Sequence, residues 1–272
     1  MVLLKNRRAL AGGVIVGAIF AVALISLLWT PYSLANMSGG RLSPPSWSHW
    51  LGTDTLGRDE LSRVLRGSRI AVMVGLSAVI IGLFVGAPIG ILAGFARGRS
   101  DDFLSSFLDI LIAFPTLLLA MLIVAARGAS RISAILAIGL GISAVFARLS
   151  RFLTRSTLSK DFVVAARVSG TSWLRITRLH VLPNIWPTLL VAVAIQFGVA
   201  GLAEASLSYL GLGAPPPNDS WGSLLQQAQN TVYSAPLAAI APGVLLIVLV
   251  VGVNLLADGL RSHFDPTVQV RK

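Results

Sequence analysis

Long apolar runs with little or no charge dominate this chain and suit it to a lipid environment. Six of them approach or exceed the roughly 20 apolar residues that cross a bilayer as a helix. Charged residues make up 12% of the chain, against about 25% in soluble domains. The runs do not alternate apolar with polar residues, so we predict an all-α integral membrane protein with six transmembrane helices and no barrel strands. They cover residues 9–29, 70–96, 103–126, 132–147, about 185–209, and 235–257.

Lysines and arginines are distributed unevenly between these runs. With the N-terminus inside, 15 of the 22 bases fall on the inner side and seven on the outer side, five of the seven between Arg41 and Arg69. Because basic residues accumulate on the cytoplasmic side of a membrane, both termini and the loop at residues 148–184 are predicted to be cytoplasmic. This topology accounts for the formal charge of +11, and nucleic-acid binding is not predicted.

The first run also has features of a cleavable signal peptide. Lys5, Arg7 and Arg8 form a basic start, and residues 33–35 resemble a cleavage site. The run is longer than the usual apolar core of a signal, and five more spans follow, so we predict that it is retained. Three parts are expected: residues 1–69 with the first span and an extracytoplasmic segment, a core of five spans at 70–260, and a cytoplasmic tail at 261–272.

Two extracytoplasmic segments are expected to hold local structure. In residues 50–63, Gly52 and Gly57 flank a turn at 53–54, and the residues from Asp59 onward have helical spacing. This pattern fits either a short amphipathic helix on the outer leaflet or a solvated lead-in to the second span. Residues 211–222 contain three prolines and precede a predicted short polar helix at 223–230.

Four glycines of the second span recur at intervals of four residues: Gly82, Gly86, Gly90 and Gly94. This spacing places them on one helical face, where small residues allow another backbone to approach closely. We predict a helix-packing face and not a ligand site, with its partner helix either in this chain or in another subunit.

Asp109 and Glu204 are acids inside predicted spans, where a charge is costly unless it is paired or hydrated. A proton-coupled transporter uses such acids as relays, but no His or Lys lies within a span to complete one. We interpret both as structural, with a role in a transport pathway or its gating as the alternative.

No catalytic or metal-binding constellation is evident in the sequence. His49, His180 and His263 fall in three separate segments, and the chain has no cysteine. None of the three lysines lies in a glycine-rich phosphate-binding pattern. We therefore do not expect an enzyme, and active transport would draw its energy from an ion gradient or a separate subunit.

The polar loop at residues 148–184 has the pattern of two short helices hinged at a glycine. Asp161 can begin a helix, Gly170 ends it, Ser172 can cap a second helix, and Pro183 with Asn184 closes the segment.

The hinge of this loop is flanked by small and basic residues. Ala165 and Ala166 would let a partner surface approach, and Arg167, Arg175 and Arg178 would supply polar contacts around it. An amphipathic hairpin lying on anionic lipid fits the same pattern, and the residues alone favour neither interpretation.

Several motifs together point to a family. Residues 165–166 (Ala-Ala), Gly170 and residues 180–184 (His-Val-Leu-Pro-Asn) resemble the EAA loop of binding-protein-dependent ABC importer permeases. Segments 49–59, 113–115, 202–213, 220–222, 254–261 and 265–266 resemble those of the C-type permeases of the dipeptide, oligopeptide and nickel group. The resemblance extends over nearly the whole chain.

The resemblance implies a type I ABC importer permease of the bacterial inner membrane that binds no cofactor itself. The implied partners are a homologous permease in a heterodimer, two ATPase subunits that use ATP and Mg, and an extracytoplasmic solute-binding protein. Val164 stands where the acid that names the loop is expected, and Asp161, one helical turn earlier, is the nearest acid. The implied ATPase-coupling residues are Asp161, Ala165, Ala166, Arg167, Gly170, His180, Leu182 and Pro183.

Import of dipeptides or oligopeptides is the leading functional hypothesis. The first alternative is the same machine carrying nickel or another small peptide-like solute, although the sequence offers no His or Cys cluster for bare metal. An alternative of another class, an ion-coupled secondary transporter, predicts inverted repeats with interrupted spans, and the sequence shows no such pairing.

Overall fold

The computed structural model describes residues 6–33, 36–37, 39–96, 98–113 and 115–264. Within these ranges the chain is helical and has no β-strand, which confirms the predicted all-α class. Residues 34–35 of the candidate cleavage site, Phe114 of the 113–115 motif and residues 265–272 of the tail lie outside the described ranges. The helices are α1 (Arg7–Leu28), α2 (Glu60–Phe95), α3 (Arg99–Ala113), α4 (Thr116–Arg127), α5 (Arg131–Leu158), α6 (Asp161–Val168), α7 (Trp173–Ile176), α8 (Leu182–Tyr209), α9 (Trp221–Ala228) and α10 (Leu237–Phe264).

Five helical segments are long and apolar enough to cross a membrane. They are α1, α2, α5, the continuous segment Trp173–Tyr209, and α10. In that continuous segment a π-helical turn, Thr177–Val181, joins α7 to α8. α3 and α4 together form a sixth apolar segment, which is bent.

The bent segment corrects the expectation of one unbroken third span at residues 103–126. α3 and α4 meet at an angle of 84° at a break next to Pro115. Proline lacks the N–H of a helical hydrogen bond and its ring clashes with the preceding turn, which explains the break. Arg151, near the end of α5, donates to Asp101 at the start of α3 over 2.6 Å, and α4 ends shortly before α5 begins. The bent pair therefore still connects the two ends of the bundle.

The two ends of the bundle differ in structure. The hairpin end carries α6, α7 and the π-helical turn, together with the start of α1 and the end of α10. Asn6 Nδ2 donates to Ser262 Oγ there over 2.6 Å, which ties α1 to α10. The loop end carries residues 39–59 and 210–236, including α9.

α2 begins earlier than the sequence suggested. Asp59 caps it by accepting from the Ser62 backbone N–H at 2.8 Å, and the helix then runs unbroken for 36 residues. A separate short helix on the outer leaflet is therefore wrong, because residues 60–69 are the first turns of α2. These turns are buried by the loop end, so they are not a solvated lead-in either. The boundary expected between residues 69 and 70 falls inside this helix.

The segment after Gly170 also differs from the prediction, because Pro183 does not close it. Pro183 lies in the first turn of α8, where a missing N–H costs little. The Leu182 N–H reaches back to the Thr177 carbonyl in the wider π-helical turn, so the helix continues through this point. α8 is thereby a direct extension of α7.

The glycine face of α2 packs against α5. A Cβ on Gly86 or Gly90 would overlap the carbonyl oxygens of Ser143 and Ala147, and one on Gly94 would lie 2.6 Å from the Thr154 side chain. The partner helix of this face therefore belongs to the same chain. Because these glycines have no side chain, the backbones of α2 and α5 can pack directly against each other.

Candidate functional site

The hairpin at residues 161–181 is built around Gly170. Gly170 has φ +76, its N–H donates to the Arg167 carbonyl at 2.9 Å, and the Thr171 N–H donates to the Ala166 carbonyl at 3.0 Å. These two bonds form a Schellman motif, which ends α6 and turns the chain toward α7. Ser172 occupies the N-cap position of α7 without a side-chain capping bond. The expected hinge between two short helices is present.

The inner side of the hairpin is anchored to the bundle. Val163, Ile176 and Val181 are buried. Phe162 packs on His180 with ring centroids 5.7 Å apart, which joins α6 to the π-helical turn. These contacts hold both arms of the hairpin on the ends of α5 and α8.

A second aromatic contact ties the hairpin to α2. Phe95, the last residue of α2, meets Trp173 edge to face with centroids 6.1 Å apart. Nearby, Arg151 and Arg155 of α5 both pair with Asp101 of α3. The hairpin is therefore held against α2, and the end of α5 beside it is joined to α3, so the position of the hairpin depends on how these helices are arranged.

The outer side of the hairpin is open and largely apolar. Val168 is 85% exposed, and Leu174 and Leu179 are more than half exposed. On α6 the exposed residues include Asp161, Val164, Ala165 and Val168, which share one helical face. We call these four residues the α6 stripe. An anchored element with an open apolar surface is typical of a docking surface.

The remaining predicted coupling residues surround this surface. Gly170, Leu182 and Pro183 are exposed, whereas Ala166 and His180 are partly buried. Arg167 is also partly buried and lines a cavity of about 430 Å³ between the ends of α2 and α5. Arg175 and Arg178 are exposed and give the outer side of the hairpin a positive charge.

Asp161 lies in the first turn of α6 with no side-chain hydrogen-bond partner among the described residues. A carboxylate at this position is favoured by the helix dipole. Val164 follows one turn later on the same exposed stripe. Asp161 is thus the acid nearest to the position where the loop resemblance expects one, and it is available to a partner.

The structure places the two acids of the predicted spans in unlike surroundings. The Asp109 carboxyl on α3 is 55% exposed and lies 3.5 Å from Arg148 of α5. Glu204 on α8 is 2% exposed and accepts from Ser208 Oγ at 2.6 Å. The two do not meet in one site, since Asp109 is open and Glu204 is enclosed by protein.

An ion network at the loop end was missed by the sequence reasoning. Arg63 on α2 is 1% exposed. It donates to Asp54 over 3.0 Å and to Glu60 over 3.2 Å. Asp219 receives two bonds from it, at 2.9 and 3.1 Å, and Gln227 receives one at 2.6 Å. Asp54 and residues 220–222 belong to the quoted motifs, but no spacing rule links positions 156 residues apart.

α9 is joined to α2 and α8 beside this network. Trp221 Nε1 donates to the Val64 carbonyl at 3.0 Å, and its indole fills the space above Gly67. Gly222 sits so close to Ala205 of α8 that a Cβ would overlap the Ala205 carbonyl oxygen. At the loop end, α9 is therefore packed closely on α2 and α8 and covers that end of the bundle.

Within the described ranges no group of three or more His, Cys, Asp or Glu residues is placed to hold a metal ion. His49 lies beside Asp59 at the loop end, with Nδ1 2.9 Å from the carboxylate, whereas His180 is in the hairpin at the other end.

Comparison with known proteins identifies the class to which this fold and hairpin belong. The family model described as binding-protein-dependent transport system inner membrane component matches residues 86–270. The chain belongs to this family of ABC importer permeases. The family resemblance noted from the sequence motifs is thereby confirmed.

Relatives match nearly the whole length of the chain. It is 37% identical to the dipeptide transport system permease protein DppC of Alkalihalophilus pseudofirmus, over 97% of this chain and 88% of that protein. It is 36% identical to the di/tripeptide transport system permease protein DppC of Pseudomonas aeruginosa, over 97% and 89%. The glutathione transport system permease protein GsiD of Pectobacterium atrosepticum is 36% identical, over 98% and 89%.

The fold also matches a solved structure. A chain of the MetNI methionine ABC transporter in an inward-facing crystal form superposes with a TM-score of 0.62 at 20% identity, covering 75% of this chain and 97% of that one. This match shows the type I importer permease fold. The chain is therefore a multi-pass membrane transport subunit.

Proposed function

We propose that this chain forms half of the translocation pathway of an ATP-driven importer of dipeptides and oligopeptides. Family membership and the importer fold support the transport role. The peptide substrate is supported by relatives named for dipeptide, di/tripeptide and glutathione transport. The second half of the pathway would come from a homologous permease in a heterodimer.

The hairpin is the proposed contact with an ATPase subunit. The observation that carries this assignment is its two-sided construction, with Val163 and Ile176 buried in the bundle while Val168 and the rest of the α6 stripe are open. The partner ATPases would bind ATP and Mg, since the chain has no phosphate-binding loop. ATP-driven movement of the hairpin would bias α5 and α8 between two arrangements, which is the form of an allosteric coupling.

The hairpin end would face the cytoplasm and the loop end the opposite side. This orientation places 15 of the 22 bases on the cytoplasmic side and puts both termini there, in the bacterial inner membrane. The rigid loop end, with residues 39–59 and α9, would then receive the extracytoplasmic solute-binding protein. Asp109 and Arg148, open on α3 and α5, are the proposed polar groups of the pathway wall, and Glu204 is proposed to hold α8 in place.

Gly170 supplies the first test of the coupling role. A β-branched residue at φ +76 is strained by about 1–2 kcal/mol or more, whereas Asn tolerates this conformation. Open space surrounds the position, so a side chain would meet no clash. We expect Gly170→Val to lower solute-stimulated ATP hydrolysis and uptake about 5- to 30-fold, with Gly170→Asn close to the parent chain. The assay is transport in proteoliposomes with the co-purified ATPases.

Substitutions on the α6 stripe complete this test. Ala165→Glu places a charge on the exposed surface without disturbing the anchors, and Asp161→Asn removes the only acid of the stripe at constant size. Both are expected to uncouple hydrolysis from uptake. Normal coupling in Gly170→Val and Ala165→Glu would refute the assignment.

The solute is tested separately through the solute-binding protein. Titration calorimetry with dipeptides, oligopeptides, glutathione and chelated nickel would identify its ligand, and peptide binding is the expected result. Binding of nickel alone would overturn the peptide assignment. Uptake driven by an ion gradient without ATP would instead support a secondary transporter.

A further inference from the structure

A cavity of about 180 Å³ at the loop end is lined by three arginines. Arg66 and Arg69 lie three residues apart on one face of α2, and Arg131 begins α5. The rest of the lining comes from Leu27 of α1, from Ile70 and Met73 of α2, and from residues 217–219. Four separate parts of the chain thus enclose the cavity, and two of them, α2 and α5, bring three guanidinium groups into it.

These arginines lack acidic partners among the described residues. Arg69 Nε donates to Ser26 Oγ at 2.7 Å, and Arg131 Nη2 donates to Asn218 Oδ1 at 2.9 Å, both neutral acceptors. Arg66 Nε is buried with no hydrogen-bond partner. Unmet guanidinium donors in a partly desolvated space are costly, and an oxyanion is the ligand that satisfies them.

The one acid at the cavity does not neutralise it. Asp219 is held through both oxygens by Arg63, which also pairs with Asp54 and Glu60. Arg58 pairs with Asp54 as well. Behind the cavity two arginines face three buried acids, so the excess there is at most one negative charge. Set against three arginines in the cavity, this leaves a local charge of at least about +2 by simple count.

The position of the cavity matches the headgroup layer of a membrane. Arg69 directly precedes the uncharged run at residues 70–96, and Leu27 lies in the last turn of α1. Polar headgroups occupy this level, just outside the hydrocarbon core. In the proposed orientation this level is extracytoplasmic, where basic residues are fewer than on the cytoplasmic side, so the placement of three arginines here needs a reason.

The cavity also opens beside an apolar surface suited to acyl chains. Leu27 is 62% exposed, and Leu24 and Leu28 beside it on α1 are also exposed. Only 22% of the apolar stretch of α1 is buried within the protein. If a lipid phosphate occupies the cavity, the acyl chains of that lipid can lie against the exposed leucines of α1.

We propose that this cavity binds the phosphate of an anionic phospholipid from the leaflet at the loop end. The planar forks of Arg66, Arg69 and Arg131 suit the phosphate oxygens, and the net positive charge favours phosphatidylglycerol or cardiolipin over a zwitterionic lipid. The bound lipid would link α1, α2 and α5 at the point where Arg131 contacts the 217–219 segment.

Native mass spectrometry of the transporter, purified through a tag on this chain and depleted of lipid, tests the proposal. Phosphatidylglycerol and phosphatidylethanolamine with the same acyl chains are titrated separately. We expect preferential binding of phosphatidylglycerol, weakened about fivefold by Arg66→Gln and about a hundredfold when Arg69→Gln and Arg131→Gln are added. Arg41→Gln, which removes an exposed arginine at the same end, should leave binding unchanged.

Three results would overturn the proposal. The first is equal phosphatidylglycerol binding by the parent chain and the triple variant. The second is an equal loss of phosphatidylglycerol binding in Arg66→Gln and Arg41→Gln. If the triple variant does not assemble, this comparison of single variants is the deciding one. The third is binding of inorganic phosphate or a dipeptide that Arg66→Gln abolishes, without preference for phosphatidylglycerol, which would assign the cavity to a soluble anion.

Discussion

At the residue scale, Arg63 shows how one buried cation organises the loop end. It reaches acids from three places in the sequence: Asp54 in the first loop, Glu60 on its own helix and Asp219 beside α9. Burial of a charge is tolerated only when it is paired and fully hydrogen-bonded. Loss of the guanidinium would leave carboxylates buried without compensation.

Arg63→Ala should therefore destabilise the protein by about 3–5 kcal/mol. Arg58→Ala is the matched control, because Arg58 makes one ion pair with the same Asp54 and its side chain is partly exposed. It should cost about 1.5 kcal/mol, because a single charge-assisted hydrogen bond is lost. Thermal unfolding in detergent, followed by the fluorescence of the six tryptophans, measures both. Equal shifts for the two variants would mean that the network contributes little.

At the element scale, hydropathy predicted where helices cross but not where they bend or begin. Five spans lie within helices that match the apolar runs, because burying backbone in lipid requires helix. The break at Pro115 interrupts the third run, since one proline matters more there than average hydropathy does. Residues 60–69 were misjudged because Arg63, one of their charged residues, is buried against acids from distant parts of the chain.

The candidate site was predicted unevenly for the same reason. Gly170 and the helix from Asp161 follow from local rules of helix ends. The Arg63 network joins residues far apart in sequence, and the cavity of Arg66, Arg69 and Arg131 requires three helices to converge. Local sequence patterns cannot predict contacts between residues that are far apart in the sequence.

The contact between α2 and α5 gives the prediction at this scale. Gly86→Leu would force a side chain into the Ser143 backbone, and we expect a loss of about 1–3 kcal/mol or a failure to fold. Gly17→Leu on α1 enters open space and should be tolerated. Yield of monodisperse protein and its unfolding temperature check this. Comparable behaviour of the two variants would contradict the close packing of α2 on α5.

At the scale of the whole molecule, long helices connect two specialised ends. α2, with 36 residues, spans about 54 Å at 1.5 Å per residue. The end of α5 and the start of α8 both lie at the hairpin. At the loop end, α9 packs against α2 and α8. A force on the hairpin would therefore pass through these helices to the opposite end, as the proposed coupling to external ATPases requires.

Site-specific crosslinking of the hairpin tests this account most directly. The chain has no cysteine, so Val168→Cys and Tyr233→Cys each introduce one thiol, at the exposed hairpin and at a fully exposed loop-end position. A maleimide linked to a photoreactive benzophenone would be attached to the assembled transporter. We predict that Val168→Cys crosslinks to an ATPase subunit and Tyr233→Cys does not. The proposed coupling role of the hairpin would be contradicted if the ATPase crosslinked to Tyr233→Cys. It would also be contradicted if the complex were intact and the ATPase crosslinked to neither position.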